Sequence, residues 1–341
     1  RLPRGLAVTH QDQSLESVPH RPIVRARAAR VNALRGRGDG RGERSFAMTR
    51  DPHVLARRSD TLEPGRRAGR VARRGRRDDA GSTAGEAEAK MHGRDSGTDA
   101  TRARLEAISM PIEAQLRGRL VRRYKRFLAD VELEDGREVT VHCPNPGSML
   151  GTRRPGSLVR CSTHDDPRRK LRHTLEMIRV GSVWVGLHAA KANALARRML
   201  ERGAYSPFAG YEDVRPEVAT PEGSRFDFRL AGGAAQAPCW IEVKSVTLCA
   251  SRRARFPDAV TERGRRHLDH LMARRRAGER AALLYVVQRA DADSVAPADD
   301  IDPAYGATLR EAARAGVELH ALSARVRGDR IRLERVLPVL L

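Results

Sequence analysis

Apolar and polar positions along this chain follow three rhythms. Residues 1–109 have none: Gly, Arg and Ala dominate, aromatics are nearly missing, and no period of 2 or 3.6 persists. Such a segment buries too little apolar surface to offset its ordering entropy, so it is expected to be disordered. It reads either as a basic arm for nucleic acid or as upstream sequence of no folded domain, from a start site set too early. We take the second reading, under which a fragment starting at Met110 folds without it.

From Leu116 a period of two sets in. Phe127, Ala129, Val131 and Leu133 alternate with polar residues, Glu134-Asp135-Gly136 makes a hairpin turn, and Val139, Val141 and Cys143 resume the alternation. Residues 158–161 form another short strand. Short strands without a long helix point to a small OB-like β-barrel over residues 110–172, with Asp165 to Lys170 as the linker that follows.

Residues 173–341 alternate strand and helix. A hairpin is expected at 174–187 around Gly181-Ser182, and a helix at 191–202 stopped by Gly203. Strands follow at 225–230 and 240–248, separated by a Gly/Ala loop, then a long helix over 258–277 and a buried strand at 281–287. A helix at 303–315, stopped by Gly316, and a strand at 317–326 complete one α/β domain.

Charge narrows the partners. The net charge is +22, and 60 of the 65 Lys and Arg residues are arginine. Residues 110–341 alone hold 41 basic and 29 acidic residues, a net +12. This favours a polyanion, DNA first, although a GC-rich genome also inflates arginine. The four cysteines show no C-x-x-C pair and no zinc spacing, and read as reduced thiols of a cytosolic protein. No apolar run approaches a membrane span and no signal peptide is recognisable.

Lys244 is one of five lysines and sits inside an apolar strand, where an ammonium is costly unless paired or used. Glu242, two residues away, points to the same face. Asp227 lies between two phenylalanines on the preceding strand. Asp227, Glu242 and Lys244 have the constellation of a metal-dependent phosphodiester-cutting site: two acids for Mg2+ or Mn2+, and a lysine for the attacking water or the phosphate charge. The alternative is a cross-strand salt bridge that only holds the strands together.

Asp258 is expected to cap the long helix, with Thr261 in its first turn. Arg263, His267 and His270 recur at three- and four-residue spacing and present either a phosphate-facing surface or an ordinary polar face. In the barrel, Arg122, Arg123, Tyr124, Lys125 and Arg126 lead into Phe127, mixing cations and aromatics as single-strand binding requires. Phe127 reads equally as core, with the arginines as a solvated face. The turn at 142–149 carries Asn145 and Ser148, which either cradle a backbone phosphate or simply tighten the turn.

These segments together resemble the sugar fermentation stimulation protein A family. The matches are RRYKRFLADVELEDGREVTVHCPNPGSMLG (122–151), SRFDFRL (224–230), CWIEVKSVTL (239–248), FPDAVTERGRRHLDHLM (256–272) and, less closely, IDPAY (301–305). The resemblance implies an OB-like domain followed by a domain similar to PD-(D/E)xK nucleases, and DNA binding with a part in regulating sugar metabolism such as maltose use. It assigns Asp227, Glu242 and Lys244 to the nuclease-like signature and Glu217 to an acid that helps hold the metal. Two departures stand out. Arg198 occupies a helical position where the family carries Glu, and His188-Ala189 replaces Asn-Thr. An active metal-dependent nuclease is the alternative to a DNA-binding protein, and a scaffold indifferent to nucleic acid is a third.

If DNA is held through its phosphates, log K falls linearly with log[salt], by roughly 0.9 per neutralised duplex phosphate. A fluorescence titration between about 50 and 200 mM salt checks this, and a flat response counts against it.

Overall fold

The structure, a computed structural model, describes residues 99–341 apart from 221–222, 224 and 234–236. Most of the expected disordered extension, residues 1–98, lies outside the described residues. Residues 99–109 do not behave as that reading expects. Helix α1 runs through residues 99–106, and Leu105 and Ile108 are fully buried in the core of the second domain. Strand β1 (Ser109–Pro111) then pairs antiparallel with β16 (Arg330–Val336). The cut before Met110 therefore passes through the fold. Two apolar residues among charges are too few to set a period, yet enough to dock one helical turn.

The period-two region closes into a barrel. Its strands are β2 (Leu116–Tyr124), β3 (Leu128–Leu133), β4 (Glu138–His142), β5 (Leu158–Thr163), β6 (His173–Val180) and β7 (Val183–Gly186). They pair in the order β4-β3-β2-β5-β6-β7, and a bridge between His142 and Thr174 joins β4 to β6. The inward residues, among them Leu120, Ala129, Val131, Val141, Val159, Leu175 and Ile178, form one apolar cluster. Two expectations change here. The hairpin at 173–186 belongs to the barrel rather than to the next domain. Residues 165–170 are its β5–β6 loop rather than a linker, because Pro and charge mark an exposed turn as well as a domain boundary. Phe127 is not core, being 44% exposed on the β2–β3 turn.

The rest is a mixed α/β domain. Its strands β8 (Asp213–Ala219), β9 (Arg225–Ala231), β10 (Cys239–Val246), β13 (Arg280–Val287) and β15 (Glu318–Val326) form, with β1 and β16, a seven-stranded sheet in the order β1-β16-β15-β13-β10-β9-β8. The central strands β10, β13 and β15 are parallel. Parallel strands covered on both faces read as continuous apolar runs, as β13 does. On one face Ile241, Val243, Leu284 and Val286 meet Leu195 and Met199 of α2 (Ala189–Glu201), together with Leu105 and Ile108. On the other, Trp240, Val246, Leu283 and Tyr285 meet Leu268 and Leu271 of α3 (Glu262–Arg276) and Tyr305 and Leu309 of α4 (Pro303–Arg314). Strands β11 (Cys249–Ala250), β12 (Arg253–Phe256) and β14 (Ser294–Pro297) form a small second sheet beside it. Among the described residues no helix is long and apolar enough to cross a membrane.

Leu105 tests the revised boundary. Leu105→Ala is expected to destabilise the chain by about 2–5 kcal/mol, the usual range for a fully buried leucine. Urea unfolding of the full chain measures it. A change within about 0.5 kcal/mol, typical of surface sites, returns residues 99–109 to the extension.

Candidate functional site

The site begins where the β9–β10 ladder stops. Backbone pairing runs Cys239 with Leu230, Trp240 with Arg229 and Ile241 with Phe228, and goes no further. Beyond it the Val243 N–H donates to Asp227 Oδ2 at 2.7 Å, so a side-chain carboxylate takes the place of a strand carbonyl. Asn193 of α2 donates its Nδ2 to Asp227 Oδ1 at 2.6 Å. Both oxygens thus have a donor, and each keeps a lone pair. Burial, and then the neighbouring charge of Glu242, push the Asp227 carboxyl up to about 6 despite these bonds.

Glu242 is buried one strand over. Its Oε1 receives the Lys244 ammonium at 2.6 Å and the His267 Nδ1 in a short contact. Burial raises the Glu242 carboxyl, but the His267 hydrogen bond and the Lys244 charge together outweigh it and hold the group below its ordinary value. Arg263 donates its Nε to His267 Nε2 at 3.3 Å. An arginine N–H can only donate, so Nε2 accepts and Nδ1 carries the proton toward Glu242. The chain of contacts Arg263, His267, Glu242, Lys244 links the first turn of α3 to the sheet.

The barrel supplies the opposite wall. Asp227, Glu242 and Lys244 line a cleft of about 420 Å3 together with Arg126, Asn145, Pro146 and Gly147 of the barrel and Asp258 to Thr261 and Arg263 ahead of and within α3. Arg123 shapes the barrel loop by donating to the carbonyls of Asn145, Gly147 and Ser148 at 3.0, 2.8 and 3.3 Å. Asn145 Oδ1 accepts from the Gly147 N–H at 2.9 Å. The loop is then fastened to the other domain: Ser148 Oγ donates to the Asp258 carbonyl at 2.5 Å, and the Met149 N–H donates to Asp258 Oδ2 at 2.8 Å. Asp258 is therefore not the helix cap expected of it. Thr261 caps α3, accepting from the Gly264 N–H at 3.0 Å.

The structure gathers some of the expected residues and disperses others. Asp227, Glu242, Lys244, Arg126, Asn145, Arg263 and His267 share the cleft. Glu217 does not join them as a metal ligand. Its backbone is left-handed, and its exposed side chain lies 4.0 Å from Arg225. Arg122 and Tyr124 are tied to Asp130 at 2.7 and 3.0 Å, and Arg123 and Ser148 hold the loop rather than face outward. Lys125 is exposed in the left-handed β2–β3 turn. Arg198, standing where the resemblance expects an acid, donates to the Ser109 carbonyl and ties α2 to β1. The sequence does not announce the contact of Asn193 with Asp227, although an amide in the run Ala192-Asn193-Ala194-Leu195-Ala196 is a visible oddity in an apolar helix.

The donor set suits a hard divalent cation. It offers carboxylate oxygens on adjoining strands; burial first and the Glu242 charge second raise Asp227, and a cation offsets both. Both contacts to Glu242 fall on Oε1, leaving Oε2 outside them. Among the described residues no three His, Cys, Asp or Glu side chains gather at metal-binding spacing, so protein ligands would be few and water would complete the shell.

The sign of the Asp227 shift gives a test. A carboxyl raised in the folded state costs stability once it ionises, so this cost is absent below about pH 4 and complete above about pH 6. Asp227→Asn removes the charge, and is expected to raise the melting temperature at pH 8 by a few degrees (about 2–4 °C per kcal/mol) but to leave it nearly unchanged at pH 4. A melting temperature that falls at both pH values contradicts the assignment.

Known proteins place the chain. Residues 121–187 match the model of the SfsA N-terminal OB domain, and residues 190–330 match the sugar fermentation stimulation protein RE domain. The sugar fermentation stimulation protein homolog of Geobacter sulfurreducens is 50% identical over 223 residues, covering 65% of this chain and 95% of its own. That of Pelobacter propionicus is 49% identical over 232 residues, covering 68% of this chain and 100% of its own. The solved structure of Pyrococcus furiosus SfsA in complex with Ca2+ superposes with a TM-score of 0.61 at 23% identity, covering 68% of this chain and 98% of that one, and shares the fold. With a closed barrel, a mixed α/β domain behind it, and half the residues of near full-length relatives retained, the chain belongs to the sugar fermentation stimulation protein family.

Proposed function

We propose that the chain binds DNA through its phosphates and presents one of them to Asp227, Glu242 and Lys244. The observation that carries this is the pairing of the buried Glu242 and the partly buried Asp227 with the partly buried Lys244 on the floor of a cleft whose opposite wall is an OB barrel. Arg126 and Lys125, exposed on the barrel turn, supply phosphate neutralisation beside the cleft, and the net +12 of residues 110–341 supplies the longer-range attraction. The regulation of sugar use that the family resemblance implies would act through this binding, in the cytoplasm.

Hydrolysis is the second reading, favoured by the chemistry of the floor. Mg2+ or Mn2+ on Asp227 and Glu242 would supply a Lewis acid for phosphate oxygen and water; the Pyrococcus relative was solved with Ca2+, another hard cation. The chain's own residues prepare the rest. Asn193 and the Val243 N–H fix the Asp227 carboxylate, and His267 fixes Glu242. Lys244, held at 2.6 Å by Glu242, keeps two further N–H donors for a phosphate oxygen or a water.

Calorimetry with Mn2+ on the wild type and on Asp227→Ala tests the site. Heat from the wild type alone is expected; equal heats, or none from either, sink the metal reading. Lys244→Ala separates the two roles. If the site hydrolyses DNA, the variant loses Mn2+-dependent cleavage while keeping its fold and most of its DNA affinity. If the lysine is only an ion-pair partner, the variant loses on the order of 3 kcal/mol of stability instead, because a buried carboxylate is left partly uncompensated.

A further inference from the structure

We infer that the cleft takes an unpaired strand in preference to duplex DNA, with Phe127 and Val260 contacting bases at its rim. This rests on the DNA reading above. Three observations lead to it. The first is size: about 420 Å3 falls in the range of pockets for small ligands, roughly 300–1,000 Å3, and so suits one or two nucleotides rather than a double helix. The second is a fixed roof. The barrel loop and the segment before α3 both line the cleft, and they are bonded to each other through Ser148, Met149 and Asp258. Gly147 lies so close that an added Cβ would sit 2.5 Å from Asp258 Oδ1. With the Arg123 bonds stiffening the same loop, rotation of a few side chains does not widen this side of the cleft. A strand reaches Lys244 only if its nucleotides can separate from a partner.

The third is the chemistry of the rim. Among the described residues, Phe127 is the exposed phenylalanine, at 44%. Its ring stacks on His142 with 6.4 Å between centroids, and the Arg126 guanidinium lies 5.5 Å from it. Arg126 itself lines the cleft, as does Val260, which is 69% exposed. Arg126 and Val260 in the cleft, with the Phe127 ring next to Arg126, match a strand that shows both phosphate and base. A duplex hides its base faces and is instead gripped over a broad surface, typically about 1,000–2,500 Å2.

The test uses the full chain in EDTA, so that no metal-dependent cleavage intervenes. Anisotropy compares a labelled single strand of about 16 nucleotides, the upper site size of one OB fold, with the duplex of the same sequence at the same salt. The single strand is expected to bind at least about tenfold tighter, which one stacked base supplies. Phe127→Ala and Val260→Ser, both uncharged changes at exposed positions, are each expected to lower single-strand affinity by about as much as the preference itself, and duplex affinity far less. Equal affinity, or tighter binding of the duplex, overturns the strand preference and leaves DNA binding standing. A preference that survives both substitutions overturns the role of the rim. Binding of neither ligand sinks the DNA reading itself, and this one with it.

Discussion

The hydrogen bond from the Val243 N–H to Asp227 is the contact on which the site depends. A strand that lends its backbone donor to a neighbour's carboxylate can no longer continue the ladder there. The sheet opens at that point, and the opening is the cleft. One acid therefore ends a secondary-structure element and starts a functional one. Burial would ordinarily exclude a second acid from such a place. Glu242 is tolerated because Lys244 and His267 both lean on one of its oxygens, and His267 has its proton placed by Arg263. If the network loses a member, a buried charge stands alone, the costly state for such groups.

The barrel is more than an attached module. Its loop at 144–149 reaches Asp258, and at the end of β7 the Gly186 N–H donates to the Gln288 carbonyl at 2.9 Å. The two domains are thus joined at two places by hydrogen bonds that include main-chain groups. Such contacts fix an angle between surfaces as well as a distance, since hydrogen bonds weaken steeply off axis. That is what a cleft shared by two domains needs in order to keep its shape.

Much of this was legible in the chain. Lys244 stands out because a lysine in a run of apolar, β-branched residues contradicts its surroundings, and the two-residue step to Glu242 follows from the pleat alone. The barrel strands declared themselves by alternation, and β13 by its unbroken apolar run. What failed to show was long-range. Asp258 looks like a cap because local sequence offers it a helix to cap; its true partner lies 109 residues away at Met149. Glu217 looks like a ligand by its place in a motif, but a left-handed backbone turns on local geometry that no periodicity reports. Leu105 and Ile108 were lost in a charged background because two residues make no period, though two suffice to fill a gap at the end of a core.

The order of the large sheet has a consequence for how copies of this chain meet. Its outermost strands are β1 and β8, and each carries a proline, Pro111 in one and Pro216 in the other. Proline brings no N–H to a ladder, and β1 is only three residues long. The sheet is blunted at both ends against strand-by-strand extension, the route by which open sheets grow into aggregates. Assembly of two copies, wherever it occurs, is thereby steered away from edge pairing and toward side-chain surfaces.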